Sequence, residues 1–217
     1  MPTLVHGKVR LALYELRGGK GRALLLLHGL GECSPRQAPR ETQAWPGPIH
    51  ALDFTGHGCS TLSEGGGYTA EILMADADAA LAKLGSATVM GRGLGAYVAL
   101  LLAGARPLAV RGAILRDGPG LVGGGPRPGT CTIPAVDPEA VIPPDPFAVV
   151  ELSRDVRPPD YASSFARQAA QLSGLERPIT VCAIGRPDWL RAVIEEPGVE
   201  ISDAYEALTA YAKVEAV

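Results

Sequence analysis

Alternating and helically spaced apolar positions divide the chain into strands and helices in regular succession. Across Lys8–Leu16, Val9, Leu11 and Leu13 share one face and Arg10, Ala12 and Tyr14 the other, which predicts a strand with weak contrast between its faces. Arg17–Gly21 is a turn by composition. Ala23–His28 is an almost unbroken apolar run that stops at a glycine, the pattern of a strand buried on both faces of a parallel sheet. Pro48–Phe54 is a second short strand. Thr69–Leu84 carries Ile72, Leu73, Ala77, Ala80, Leu81 and Leu84 at helical spacing, with Thr69 placed to cap it. Ser86–Met90 and Arg111–Leu115 predict strands, and Leu94–Ala105 a strongly apolar helix between them.

The pattern then changes. Gly118 to Pro159 holds three consecutive glycines at 123–125 and repeated prolines, so 118–159 is expected to be an irregular, reduced lid with one helical turn near Phe147–Leu152. Tyr161–Leu172 predicts a helix, Pro178–Ile184 and Val199–Ile201 strands, and Asp203–Val214 a closing helix capped by Ser202 or Asp203. Strands alternating with helices predict an α/β fold: a mostly parallel central sheet with helices on both faces. Ligands in such sheets bind beyond the carboxyl ends of the strands.

Composition narrows the functional classes. With 217 residues, the chain is expected to form one domain spanning 1–217. Apolar residues make up 47% and charged residues 20%, which fits a folded globular chain rather than a disordered one. The net charge is −3 and there is no basic tract, so no nucleic-acid partner is expected. The longest apolar runs, Ala23–Leu27 and Tyr97–Ala103, fall far short of the roughly 18 residues that span a bilayer, so no membrane span is expected. Met1–Arg10 lacks the apolar stretch of a signal peptide. Cys33, Cys59, Cys131 and Cys182 form no CxxC pair, which predicts a reduced, cytoplasmic protein with neither a metal site nor a cofactor.

Four loops follow the predicted strands: His28-Gly29-Leu30-Gly31-Glu32, the segment Asp53–Ser60, Gly91-Arg92-Gly93-Leu94-Gly95 and Gly185-Arg186-Pro187-Asp188. In this order they resemble the α/β-hydrolase superfamily over nearly the whole chain. The resemblance implies an HG turn that supplies part of an oxyanion hole, a D-x-x-G-H-G-x-S loop, a G-x-S-x-G nucleophile elbow and a G-x-x-D acid loop. It places His28, Gly29, Leu30, Gly93 and Leu94 around the pocket and oxyanion hole.

The sequence departs from that pattern at two of three catalytic positions. Gly91 and Gly95 of the elbow are present, but the nucleophile position is Gly93. The base should follow the acid in chain order, yet the four histidines are His6, His28, His50 and His57. Asp188 matches the acid position, and without an imidazole to orient it reads as a loop or cap carboxylate. Gly29, Gly31, Gly91 and Gly95 fall where a strand turns sharply, and positive φ is expected there.

Other side chains near these loops are candidate substitutes. Ser86 lies at the wrong end of its strand, roughly 16 Å from the elbow. His57 and Ser60 read as turn-forming residues of the GHG loop. Cys33 sits just past the HG turn, where a thiol acts as a nucleophile only with a lowered pKa. Glu32 reads as a loop carboxylate at the pocket mouth, and Asp117 as a turn residue at a position some superfamily members use for the acid.

Three functions follow. The first is a pseudo-hydrolase without a Ser-His-Asp triad, binding a small apolar or ester-like ligand or a protein partner. It resembles the N-myc downstream-regulated proteins and the plant hormone receptors of the superfamily. The second is an esterase-like enzyme of unusual mechanism, drawing on Cys33, His28, Glu32, Asp117 or Asp188. The third is a dinucleotide-binding protein, because Gly91, Gly93 and Ala96 also satisfy G-x-G-x-x-A. Asp117 lies about 20–25 residues further on, where a ribose-binding acid would sit.

Overall fold

The computed structural model describes residues 3–124 and 142–214. Eight strands form one sheet: β1 (Thr3–His6), β2 (Val9–Arg17), β3 (Ala23–Leu27), β4 (Ile49–Leu52), β5 (Ala87–Arg92), β6 (Val110–Arg116), β7 (Ile179–Val181) and β8 (Val199–Ile201). Their spatial order is β1-β2-β4-β3-β5-β6-β7-β8. The β1–β2 and β2–β4 pairs are antiparallel, and every other pair is parallel. Among the described residues the α-helices are α1 (Ala70–Leu84), α2 (Leu94–Ala105), α3 (Pro146–Arg154), α4 (Pro159–Leu172), α5 (Asp188–Ile194) and α6 (Ala204–Ala212). Among the described residues, no helix is long and apolar enough to cross a membrane.

The two-residue period of the central strands separates two cores. Leu25, Leu27, Val89, Ala113 and Leu115 point to the side packed by α1 to α5. Leu24, Leu26, Met90 and Ile114 point to the other side, against α6 and Trp45. Every residue of β3 is buried, as its unbroken apolar run predicts. Helix α2 is buried almost all round, which explains why its sequence has no polar stripe.

Local chemistry sets the helix starts. The Thr69 side chain accepts from the Ile72 N–H at the head of α1, and Asp203 accepts from Tyr205 and Glu206 at the head of α6. Asp145 accepts from the Phe147 N–H, and Pro146 at the first helical position suits the fixed proline φ. So the turn expected at Phe147–Leu152 is a nine-residue helix, α3. The helix expected from Tyr161 begins two residues earlier, at Pro159. The rest of the expected lid, 125–141, with Cys131, lies outside the described residues.

Two elements are not anticipated by the sequence pattern. Strand β1 is mostly exposed and does not alternate. Helix α5 begins at Asp188, inside a segment that reads as a loop. The strand expected over Pro178–Ile184 pairs only at Ile179–Val181.

Candidate functional site

The loops at the carboxyl ends of β3, β4, β5 and β6 meet above the sheet. Two buried histidines join the first two loops reciprocally. His28 Nε2 accepts from the Phe54 N–H (3.1 Å), and His57 Nε2 accepts from the Gly31 N–H (3.3 Å). Each Nδ1 donates to a carbonyl, His28 to Gly29 (2.8 Å) and His57 to Thr55 (3.2 Å). Both rings are therefore neutral Nδ1–H tautomers with no free nitrogen. Burial pushes both pKa values down, that of His57 to about 3.

Asp53, at the end of β4, organises the same region. Its Oδ1 accepts from the Ser34 N–H (2.7 Å), and its Oδ2 from the Cys59 N–H and the Tyr14 hydroxyl (both 2.9 Å). A Cβ at residue 58 would stand 2.0 Å from this carboxylate, so only glycine fits the turn. Ser60 donates to the Asp53 carbonyl (2.6 Å) and accepts from the Ala12 N–H (3.0 Å). Ser60 and His57 thus hold the loop's shape.

The elbow keeps its backbone. Gly93 has φ 59° and ψ −120°, a conformation that side chains rarely adopt. The neighbouring glycines do not follow the expected rule, since of Gly29, Gly31, Gly91 and Gly95 only Gly31 has positive φ (76°). Gly91 and Gly95 are required instead by close approach. A Cβ on Gly91 would lie 2.0 Å from the Gly95 carbonyl oxygen, and one on Gly95 would lie 2.5 Å from the Leu27 carbonyl oxygen.

The two N–H groups expected to form an oxyanion hole do converge, but on an internal acceptor. Leu30 N–H (3.0 Å) and Leu94 N–H (2.9 Å) both donate to the carbonyl oxygen of Pro119, just beyond β6. Arg157 Nη1 donates to the carbonyls of Gly120 and Leu121, and Trp189 Nε1 donates to that of Leu121 (2.9 Å). The buried Arg157 guanidinium also lies over the Tyr97 ring, 5.0 Å from its centre, and burial pushes its pKa down to about 10. Pro119, Arg157 and Trp189 were not singled out by the sequence. The available signal was a proline between two glycines at the carboxyl end of a strand, together with a missing side chain at residue 93.

Beside this plugged centre lies an open cleft of about 1010 Å³. His28, Leu30, Glu32, Cys33 and Asp117 are among its lining residues, whereas Gly29, Gly93 and Leu94 are not. Glu32 accepts from the Gly29 N–H (2.9 Å) and pairs with Arg92 (3.0 Å). The Cys33 thiol is pushed up by burial, away from the thiolate that a nucleophile needs. Asp117 accepts from the Ile184 (2.5 Å) and Gly185 (2.9 Å) N–H groups and ties the β6 loop to the β7 loop. Asp188 is exposed at the start of α5 and pairs with Arg191. The dinucleotide reading needs the Leu94 N–H and Asp117 to face a ligand, and both are engaged within the chain.

Comparison with known proteins agrees with this architecture. No family model matches the chain, and no curated protein matches it in sequence. Among solved structures it is similar to N-formylmaleamic acid deformylase from Pseudomonas putida S16, with TM-score 0.69 and 17% identity over 93% of this chain and 91% of that one. It is also similar to the thioesterase domain from the curacin biosynthetic pathway, with TM-score 0.66 and 14% identity over 97% and 96%. A third is the monoacylglycerol lipase of Paleococcus ferrophilus, with TM-score 0.63 and 18% identity over 89% and 88%. The chain has the α/β-hydrolase fold. At these identities the likeness concerns the fold alone.

Proposed function

We propose that this chain is a non-catalytic protein of the α/β-hydrolase fold that binds a small ligand in the cleft beside its elbow. The observation that carries this reading is the Pro119 carbonyl, which accepts both N–H groups that would otherwise stabilise a substrate oxyanion. Three further features support it. Residue 93 is glycine, no histidine follows His57, and the two buried imidazoles have both nitrogens engaged. Acyl transfer needs a nucleophile, a base beside it and donors for the oxyanion. The engaged imidazoles and the raised thiol pKa weigh against an enzyme built on Cys33 and His28.

A panel of activated short-chain esters tests the catalytic half of this reading. The purified protein is expected to give no turnover above a boiled control. Turnover that persists through repurification and that a thiol-blocking reagent abolishes would instead establish a cysteine hydrolase. Native mass spectrometry of the freshly purified chain tests the ligand half, with a bound small molecule expected.

A further inference from the structure

The cleft has a polarity of its own. On β3, β5 and β6, register places Leu26 beside Met90 and Met90 beside Ile114, and two residues further on Arg92 beside Arg116. Residues two apart on a strand share a face, and of these apolar residues Leu26 and Met90 line the cleft on the side that ends in the adjacent arginines. Side-by-side cations repel across a sheet, and each here has a glutamate partner. Glu32 pairs with Arg92 (3.0 Å), and Glu41 pairs with Arg116 (2.7 Å). Arg36 lines the same cleft.

Five carboxylates line the cleft beside three arginines, and four of the five are engaged by donors of the chain itself. Glu32 and Glu41 hold the arginines, Asp53 accepts from three protein donors, and Asp117 accepts from two backbone N–H groups. Glu15 belongs to β2, three strand spacings or about 14 Å from β5 across the sheet. A guanidinium carries five N–H donors in a planar fork, and one glutamate oxygen engages only part of it. The Arg92 and Arg116 side chains are 49% and 32% exposed, so donors remain open to a ligand.

We propose that the cleft binds an amphipathic organic anion, its carboxylate or phosphate monoester on the Arg92–Arg116 pair and its apolar body along Leu26 and Met90. This rests on the reading of the cleft as a ligand site. Calorimetric titration with octanoate, octyl phosphate, octanol and octyltrimethylammonium tests it. One octanoate or one octyl phosphate is expected per chain, and the tighter of the two identifies the head group. Arg92→Gln and Arg116→Gln are each expected to weaken anion binding about tenfold or more and to leave octanol unchanged. Glu41→Gln, which releases Arg116, is expected to tighten it. Thermal melts of the variants report that they are folded. Octanol binding as tightly as the anions, or both arginine variants binding them as the wild type does, overturns the anion proposal and leaves the ligand reading standing. A folded protein that binds none of the four probes overturns both.

Discussion

The carbonyl oxygen of Pro119 stands 2.0 Å from where a Cβ on residue 93 would lie. Gly93 and Pro119 are therefore one structural unit: the glycine makes room for the carbonyl, and the carbonyl fills the space over the elbow. The absent side chain at residue 93 and the engagement of the Leu30 and Leu94 N–H groups by Pro119 have the same physical cause.

Introducing the nucleophile should not restore a hydrolase. Gly93→Ser places a Cβ against a backbone oxygen at a residue with φ 59°, and a loss of about 2–4 kcal/mol of stability is expected. The variant is expected to show no multiple turnover on activated esters, because neither His28 nor His57 has a free nitrogen. Ester kinetics and mass spectrometry of the serine check this. Sustained turnover would mean that the Pro119 loop withdraws and that an imidazole is released.

The flanking glycines should be intolerant for a different reason. In Gly91→Ala and Gly95→Ala the new methyl meets backbone oxygens, which cannot swing aside as a side chain can. Each is expected to lower stability by about 1–3 kcal/mol, read from thermal melts. Unchanged midpoints for both would show that the elbow is not formed.

Arg157 should hold the plug. Arg157→Met removes the donor to the Gly120 and Leu121 carbonyls, at an expected cost of about 1–3 kcal/mol. Hydrogen exchange at the Leu30 and Leu94 amides is expected to quicken more than exchange within β3. Equal protection in variant and wild type would mean that Trp189 alone fixes the loop.

Acid should loosen the loop junction through His57. Its folded pKa is about 3 against an ordinary 6.5, so between these values the unfolded chain binds more protons and stability falls as pH drops. The slope from this group approaches about 1.4 kcal/mol per pH unit within that window. His28 adds to it in the same direction. Asp76, raised to about 6 by burial, opposes it below that pH. Denaturant melts across the window should show a shallower loss for His57→Gln than for the wild type. Parallel slopes would mean that His57 becomes protonated without unfolding the junction.

Much of the architecture was legible because burial leaves a period in the sequence. The unbroken run Ala23–Leu27 marks a strand covered on both faces, and the bounds of α2, Leu94–Ala105, follow directly from its apolar pattern. Thr69 and Asp203 mark helix starts because a side-chain oxygen there satisfies backbone N–H groups. Strand β1 was not legible, since an exposed edge strand buries too little to impose alternation.

The residue inventory is a matter of sequence alone: a glycine at 93 between Gly91 and Gly95, and no histidine beyond His57. What occupies the elbow instead was decided only in three dimensions. The Pro119 carbonyl reaches Leu30 and Leu94 because β6 lies beside β5, the strand before it in the chain, and β5 beside β3, from which β4 separates it in sequence. The same adjacency sets Arg92 beside Arg116 and turns two isolated arginines into a pair. Periodicity reports which way each side chain faces. It does not report which strand stands next to which, and both the plug and the arginine pair depend on that contact.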